Sequence, residues 1–316
     1  MIFGLDPTAE PVISKSMQSI AVNIETQYLD LLRRLKTEGD FRVDRTGVGA
    51  SSLFGEVLRQ DLSRGLPLLT TKRVPWKMAA KEMLWFLTGG TNIRELLIEG
   101  VTIWTDWPLK KYRADVDPEM SQEAFEERIK EEPSFAAAYG DLGPVYGKQW
   151  RRWLGPDGRE HDQIAKLISN IRADPANRRL LFTGWNVAEL ESMALQPCHM
   201  TYQFHIARGR LSCALFQRSC DIFLGVPFNL FGASLLTHMI AQQTDLLLGD
   251  LVWFGGDVHL YANHVDQADE QLSRDQRPLP TLRITRKPSS IDDYKFSDFH
   301  IDDYDPHPTI KAEVAV

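Results

Sequence analysis

The sequence contains one cysteine that is placed like a catalytic nucleophile. Cys198 follows Pro197 and precedes His199 at the boundary between two predicted elements. A cysteine attacks as its thiolate, and cationic neighbours help to keep the thiol ionised at neutral pH. Most intracellular cysteines are instead small buried hydrophobic residues, which is our interpretation of Cys213 and Cys220. Cys198 is the candidate nucleophile, although its neighbours alone do not distinguish it from a packing residue.

Arginines at three loop edges could hold a phosphate group. Arg45 precedes a threonine and a run of glycines, Arg178 and Arg179 follow the turn-like sequence Asp-Pro-Ala-Asn, and Arg218 precedes Ser219 after a predicted strand. An arginine beside a hydroxyl can donate several charge-assisted hydrogen bonds to a phosphate. Each could equally be a solvated surface arginine, and the sequence does not show that the three sites converge.

Two polar residues interrupt apolar helical sequence. Asn229 lies at the start of a largely apolar helix, where it could cap the helix or present its amide to the edge of a base. Glu82 lies on an otherwise apolar helical face beside Trp85. Burial there would raise the pKa of its carboxyl into the range of a proton relay, whereas partial exposure would leave it an ordinary carboxylate.

Aromatic residues provide flat surfaces that could bind a ring. Trp104 and Trp107 could stack on a planar ligand or fill the core. His259 and Tyr261 alternate on a predicted strand, so their side chains point to one face. That pair could bind a sugar hydroxyl or merely fill space.

These residues must be positioned by helices and strands in mixed order. Apolar residues recur at helical spacing from Ile24 to Gly39 and over 228–244. Strands are predicted over 51–62, 202–207, 211–216 and 251–260, and Arg208-Gly209 is predicted to join the second and third as a hairpin. Because the order does not alternate strictly, an α+β fold with a large sheet is favoured over a doubly wound fold.

Two segments differ from this pattern. Residues 1–23 carry prolines and little periodicity, which predicts an N-terminal extension before one domain over 24–316. Residues 108–140 are highly charged and have no strong apolar stripe. We therefore predict a small, partly exposed subdomain inserted at 108–140.

Composition excludes several classes of protein. The 316 residues are 43% hydrophobic, which is ordinary for a globular protein and too high for disorder. The formal net charge of −7 argues against a nucleic-acid or membrane-surface binder. Three cysteines make a disulfide framework improbable, and no apolar run is long enough to span a membrane. We therefore predict a cytoplasmic protein without a metal site.

Ordered motifs along the chain resemble those of the thymidylate synthase family. The similarity runs from about Ile24 to Val316, and the motifs that carry it include Asp44-Arg45-Thr46-Gly47, Thr70-Thr71-Lys72-Arg73, Glu82–Leu87, Gly140–Trp150, Cys198-His199, Gln217–Asn229, Gly255–Tyr261 and Tyr304–Pro308. This resemblance implies a large mixed β-sheet covered by helices. The charged 108–140 segment resembles an insertion that some members of the family carry.

The resemblance implies reductive methylation of deoxyuridylate (dUMP), with 5,10-methylenetetrahydrofolate as the cosubstrate that gives both the carbon and the hydride. Cys198 would attack C6 of the uracil, and Arg218 would hold the phosphate and help to keep the thiol ionised. Asn229 would bind the uracil edge. Glu82 would relay protons through water, and Tyr146 would assist proton removal from C5.

The resemblance also implies two sets of binding residues and a twofold dimer. Residues that would bind dUMP are Arg45, Gln217, Arg218, Ser219, Asp221, Asn229, His259 and Tyr261, with Arg178 and Arg179 reaching the phosphate site of the neighbouring subunit. Residues that would bind the folate are Ile103, Trp104, Trp107, Leu195, Asp221, Gly225, Phe228 and the tail to Val316, which would close over the site and exclude water.

Related enzymes leave other reactions open. Some take deoxycytidylate and have Asp in place of Asn229, so Asn229 favours uracil. Others add water instead of hydride, which makes a dUMP hydroxymethylase the main alternative; Trp104 favours methylation. A catalytically idle nucleotide-binding relative would be expected to lack Cys198, Asn229 or Arg218, and all three are present.

Three departures from the family pattern could reshape the folate pocket. Gly184 stands before Trp185-Asn186 where the family usually has Ala, and Leu230-Phe231-Gly232 replaces the usual Ile-Ala-Ser. Pro75 stands where a polar or basic residue is common.

Overall fold

The computed structural model describes residues 23–43 and 47–314. Ten helices are described in this part of the chain: α1 (Ile24–Thr37), α2 (Trp76–Thr88), α3 (Arg94–Ile98), α4 (Asp106–Asp115), α5 (Gln122–Glu131), α6 (Pro133–Tyr139), α7 (Tyr146–Arg151), α8 (Gln163–Ala173), α9 (Gly225–Gln243) and α10 (Val265–Leu272). The strands are β1 (Asp40–Arg42), β2 (Ala50–Asp61), β3 (Trp153–Leu154), β4 (Glu160–His161), β5 (Leu181–Thr183), β6 (His199–Ala207), β7 (Arg210–Asp221), β8 (Leu247–Tyr261), β9 (Thr281–Ile284) and β10 (Phe299–Asp302).

A six-stranded mixed sheet in the order β1-β2-β8-β7-β6-β5 forms the centre of the fold. Strands β7 and β8 run parallel because α9 connects them, and the other neighbours in this sheet are antiparallel. Helices and a mixed sheet combine as expected for the α+β class, so the prediction of a large mixed sheet covered by helices is confirmed.

Side chains alternate between the two faces of this sheet. One cross-strand row, formed by Leu58, Trp253, Leu215, Tyr202 and Phe182, is almost completely buried under the helices. The adjacent row consists of Val57, Phe254, Phe216, Thr201 and Thr183 and points to the opposite face. Its side chains keep more contact with solvent, and Val57 is 49% exposed.

Helix α9 lies against the buried face and is apolar on nearly all sides. It contacts β7, β8 and α2, so it has no solvent-facing stripe that charged residues could occupy. Its start is fixed by Asp221, whose Oδ1 accepts hydrogen bonds from the backbone N–H groups of Phe223 and Leu224. The predicted helix over 228–244 is thus three residues longer at its N-terminus.

Helices α4, α5 and α6 occupy the charged segment 108–140 and pack around a small aromatic cluster. Tyr112, Phe125 and Phe135 place their ring centroids 5.3 to 5.6 Å apart. Thr105, at the start of α4, donates to Glu126 of α5 over 2.8 Å. This hydrogen bond connects α5 to the chain next to Trp104 and Trp107. No helix of the described residues is long and apolar enough to cross a membrane.

Candidate active site

Most of the candidate residues line one cleft of about 1370 Å³. The cleft lies where α2, α4, the loop before β6, the ends of β7 and β8, and the C-terminal tail meet. Candidate residues in its wall are Glu82, Ile103, Trp104, Trp107, Tyr146, Leu195, Cys198, Gln217, Arg218, Ser219, Asp221, Gly225, Phe228, Asn229, His259 and Tyr261.

Two described candidates do not line this cleft, and two further candidates are not described by the structure. Arg178 and Arg179 lie exposed in the turn before β5 and do not line the cleft of their own chain. Arg45 and Val316 lie outside the described residues.

Cys198 lies at the end of the loop that enters β6, and its surroundings hold it in the cleft wall. Its backbone N–H donates to Tyr146 Oη over 2.7 Å, and its carbonyl accepts from the backbone N–H of Arg218 over 3.0 Å. The Arg218 guanidinium donates to the carbonyls of Pro197 and Gln196 over 3.0 and 2.8 Å. A single cation therefore fixes the loop and places positive charge beside it.

His199 does not supply that positive charge. The ring is buried, and burial lowers the pKa of His199 to about 4, so the imidazole is neutral at physiological pH. Its Nδ1 lies 3.1 Å from Tyr202 Oη. His199 thus packs beneath the cysteine loop, and the cation in contact with that loop is Arg218, the residue that the resemblance implies.

The other two cysteines are buried, as predicted. Burial raises the pKa of Cys213 to about 12 and raises the pKa of Cys220 even further. Neither thiol can ionise near neutral pH, whereas Cys198 is partly exposed in the cleft.

A chain of hydrogen bonds orients the Asn229 amide. Trp253 Nε1 can only donate, and it bonds to Gln217 Oε1 over 2.8 Å. Gln217 must therefore direct its Nε2 toward Asn229 Oδ1, at 2.7 Å. The donor and acceptor of Asn229 are fixed by this chain instead of being free to exchange.

Glu82 and Trp104 form a pair at the floor of the cleft. Trp104 Nε1 donates to Glu82 Oε1 over 2.7 Å. Burial raises the pKa of Glu82 to about 7, and the bond from Trp104 offsets part of that rise. Near neutral pH the carboxyl can therefore both take up and release a proton, which suits a relay. Trp104 also lies 5.2 Å from Trp107 between ring centroids, so the two indoles form one aromatic wall.

His259 and Tyr261 face the cleft from β8, with ring centroids 5.1 Å apart. The sequence analysis did not identify Arg42, which also lines this side of the cleft. Arg42 of β1 donates to Ser52 Oγ over 2.6 Å and to Asp257 Oδ2 over 2.8 Å. Arg42 reaches the cleft only because β1 pairs with β2, and no motif signals that contact.

Further lining residues were also missed. Lys110, Lys111 and Ala114 bring the 108–140 segment into the wall, and Ala312 and Val314 bring the tail. The lysines are exposed on a short helix, where their spacing gave no signal. Among the described residues no cluster of three or more His, Cys, Asp or Glu side chains could hold a metal ion.

The unusual residues at 75, 184, 231 and 232 lie outside the cleft wall. Phe231 is buried beside Trp76, at 6.1 Å between ring centroids. A Cβ at Gly184 would lie 3.5 Å from Pro197 Cβ, an ordinary contact distance. Gly184, Phe231 and Gly232 are buried and Pro75 is exposed, so none of the four forms part of the described cleft lining.

Comparison with known proteins shows the family of this chain. A sequence model of the family described as thymidylate synthase matches residues 26–316. The chain belongs to the thymidylate synthase family. Relatives named thymidylate synthase from Rhodopseudomonas palustris, Cereibacter sphaeroides and Zymomonas mobilis are 60%, 63% and 57% identical to it. Each alignment covers 92% of this chain and 99% of the relative, so the thymidylate synthase similarity includes every candidate residue in the cleft wall.

Proposed function

We propose that the protein converts dUMP to thymidylate, with 5,10-methylenetetrahydrofolate as cosubstrate, and that Cys198 is its nucleophile. The observation that carries this proposal is one cleft that contains a partly exposed thiol, the Arg218 cation, an oriented amide and the Glu82–Trp104 pair. Membership of the thymidylate synthase family and relatives of 57–63% identity support the same reaction.

The nucleotide would bind across the ends of β7 and β8. Arg218 and Ser219 face one end of the cleft, and Arg218 would donate charge-assisted hydrogen bonds to the phosphate. His259 and Tyr261 would contact the ribose hydroxyl from β8. Asn229 would meet the N–H and carbonyl of the uracil edge, because its amide is already oriented by Gln217.

The first chemical step would be addition of the Cys198 thiolate to C6 of the uracil. A new S–C6 bond forms as the C5–C6 double bond shifts its electron pair toward C5 and the C4 carbonyl. C5 thereby becomes the nucleophile for the one-carbon unit. Tyr146, whose hydroxyl lies 2.7 Å from the Cys198 backbone nitrogen, would assist removal of the C5 proton.

Glu82 would move protons at the carbonyl side of the ring through water. Its raised pKa allows either protonation state near neutral pH. The hydrogen bond from Trp104 holds the carboxyl in one orientation, so the relay would not depend on a freely rotating side chain.

The remaining wall suits a large flat cosubstrate. Trp104 and Trp107 offer aromatic faces, and Ile103, Leu195 and Phe228 add apolar surface around them. Asp221, at the end of β7, and Gly225, at the start of α9, line the same cleft, where polar groups of a ring system could bind. When bound, methylenetetrahydrofolate supplies a one-carbon unit and then a hydride.

Methylation requires that hydride reach the transferred carbon before water does. Trp104 is fixed by its bond to Glu82 and by packing against Phe86, at 6.2 Å between ring centroids. A fixed indole over the reacting carbon would exclude water, and relatives named thymidylate synthase favour this outcome over hydroxymethylation.

The test is incubation of the protein with dUMP and methylenetetrahydrofolate, followed by mass analysis of both products. We expect thymidylate and one equivalent of dihydrofolate. A hydroxymethylated nucleotide with tetrahydrofolate left over would establish the hydroxymethylase alternative instead. No new nucleotide at all would contradict both reactions.

We further propose that the functional unit is a homodimer in which Arg178 and Arg179 complete the partner's phosphate site. The sheet face that carries Val57, Phe254 and Phe216 would provide the surface for a second copy, because it is apolar and partly exposed: Val57 is 49% exposed, and the two half-buried phenylalanine rings stack beside it at 4.8 Å. Both arginines lie just before β5, the edge strand of that sheet, and away from their own cleft. A symmetric contact through this face would carry them toward the other subunit.

We propose three further features on the same basis. Residues 1–23 form an extension to a catalytic domain at 24–316, consistent with a family match that begins at residue 26. The segment 108–140 is an insertion that contributes Lys110 and Lys111 to the cosubstrate side of the cleft. The substrates of the proposed reaction, a nucleotide and a reduced folate, fit a cytoplasmic enzyme.

A further inference from the structure

The C-terminal tail forms part of the cleft wall through Ala312 and Val314. Upstream of these residues, the tail is held by hydrogen bonds from His307 N to Thr70 O and from Arg274 to Pro308 O, both 2.7 Å long. Beyond Pro308, the described residues make one further hydrogen bond to the tail. His264 Nε2 lies 2.7 Å from the carbonyl oxygen of Glu313, between the two lining residues.

The chemistry of this contact fixes the tautomer of His264. A carbonyl oxygen can only accept, so Nε2 must carry the hydrogen and donate it. Nδ1 is buried and has no hydrogen-bond partner among the described residues. The side chain is fully buried, with ring centroids 5.5 Å from Phe223 and 5.7 Å from Tyr261.

An imidazole is a costly choice for such a position. A buried polar atom without a partner destabilises the folded state, and an apolar ring would pack between two aromatic neighbours without that penalty. Packing alone therefore does not account for a histidine here, whereas donation to the tail does.

We propose that His264 is a positioning residue that anchors the C-terminal tail against the cleft, so that Ala312 and Val314 complete its wall. His264 comes three residues after Tyr261, at the end of the strand that carries the predicted ribose contacts. One side chain thus connects the nucleotide side of the cleft to the tail. The effect of this anchor on turnover rests on the proposed function, but the anchor itself does not.

Two substitutions separate the hydrogen bond from the packing of the ring. His264→Phe keeps an aromatic ring between Phe223 and Tyr261 and removes the donor. His264→Gln loses the ring but keeps an N–H donor at a similar distance from the backbone. If the hydrogen bond anchors the tail, Phe should release it and Gln should retain it.

The first readout does not depend on catalysis. Carboxypeptidase digestion of the folded protein, followed by intact-mass measurement, reports how often the tail leaves the cleft. We expect His264→Phe to accelerate loss of the tail by about five-fold, the change that one net hydrogen bond corresponds to. We expect His264→Gln to stay within about two-fold of the unsubstituted protein.

The second readout is binding of the folate in the presence of saturating dUMP. We expect His264→Phe to weaken folate binding by about five-fold, with dUMP binding changed less than about two-fold, because β2 and β7 still hold the strand that carries His259 and Tyr261. In a variant that ends at Lys311, His264→Phe should have no additional effect, since the atom that it contacts is gone.

Several outcomes would overturn the anchor. Equal digestion rates in His264→Phe and the unsubstituted protein would do so, and so would equal acceleration by Phe and Gln, which would assign the effect to ring packing. An additional loss of folate binding in the truncated variant would show that His264 acts elsewhere. If digestion follows the hydrogen bond while dUMP is not methylated, the anchor is supported and only the proposed reaction fails.

Discussion

At the scale of single residues, burial decides which groups can do chemistry. Cys198 could be selected from the sequence because of its position before His199, but that histidine is neutral when buried. The cation that contacts the Cys198 loop is Arg218, twenty residues further along the chain and brought back by the pairing of β6 with β7. The residues by themselves made Cys198 and Arg218 separate candidates, and only the family resemblance implied that they meet. The structure shows the strand pairing that brings them together.

Replacing Cys198 tests the nucleophile directly. We expect Cys198→Ala to abolish turnover while dUMP still binds, because the thiol is needed for bond formation and Arg218 and Asn229 remain. Iodoacetamide should modify Cys198 alone, measured by peptide mass, because Cys213 and Cys220 are buried with raised pKa values. Cys220→Ala is the matched control and should retain both turnover and modification. Full activity of Cys198→Ala would refute the assignment.

The raised pKa of Glu82 predicts how the free energy of unfolding depends on pH. Its pKa is about 7 in the folded protein against an ordinary 4.5, so the folded state binds this proton more tightly than the unfolded state. The stability that this contributes is complete below pH 4.5 and is lost as the pH rises through 7. Glu82→Gln is neutral at every pH, so above pH 7 it should raise the free energy of unfolding by on the order of 2 kcal/mol.

Urea denaturation at about pH 8 and about pH 5 measures this difference, which should shrink at the lower pH. The same substitution should lower kcat by about 100-fold, since the relay group is lost. Glu127→Gln, on the exposed face of α5, is the control and should show neither effect. A stability difference that is the same at both pH values would contradict the raised pKa.

At the scale of elements, local sequence predicted the ends of some helices and turns but not how distant strands pair. Helix α2 begins directly after Pro75 and ends at Gly89, which has the left-handed φ of 75° that glycine adopts easily. The turn between β6 and β7 likewise has positive φ at Arg208 and Gly209. The parallel pairing of β7 with β8 could not be predicted, because it depends on α9 crossing between them. The aromatic cluster of α4–α6 was missed because its members come from three helices.

Gly232 lies in the interior of α9, where it offers an element-scale test. Alanine has a higher helix propensity than glycine, and a Cβ here would meet only the flexible end of Met83, at 3.4 Å. We expect Gly232→Ala to raise the free energy of unfolding by about 0.5–1 kcal/mol and to leave turnover unchanged. Denaturant titration and steady-state kinetics provide the two measurements.

Gly225, at the start of the same helix, is the matched control because it lines the cleft. A Cβ there also fits, at 3.6 Å from Asp221 Cβ and 3.7 Å from Asn229 Oδ1, but it would add volume beside two residues that line the cleft. Gly225→Ala should therefore raise the KM for the folate without a comparable gain in stability. Altered kinetics in Gly232→Ala would show that the unusual Leu-Phe-Gly sequence does shape the pocket.

At the scale of the whole molecule, the cleft is lined by residues from many elements, including α2 and the C-terminal tail. Arg178 and Arg179 do not line the cleft of their own chain. A sequence can identify such arginines only through family resemblance, because nothing in their own neighbourhood points to a second subunit. In the proposed dimer, the sheet face with Val57, Phe254 and Phe216 would supply the physical reason for association. Burial of this apolar surface is the driving force that we expect for the dimer.

If both subunits contribute residues to each active site, two inactive variants should restore activity when they form a mixed dimer. Cys198→Ala lacks the nucleophile but keeps the arginines, and the Arg178→Ala/Arg179→Ala variant has the reverse defect. In a mixed dimer one of the two sites has both intact parts, so equal amounts refolded together should recover activity at about one quarter of the sites. Phe254→Asp in both partners should abolish the recovery and yield monomers by light scattering, because a buried carboxylate opposes association. If the refolded mixture is no more active than its parents, the arginines act within their own chain or not at all.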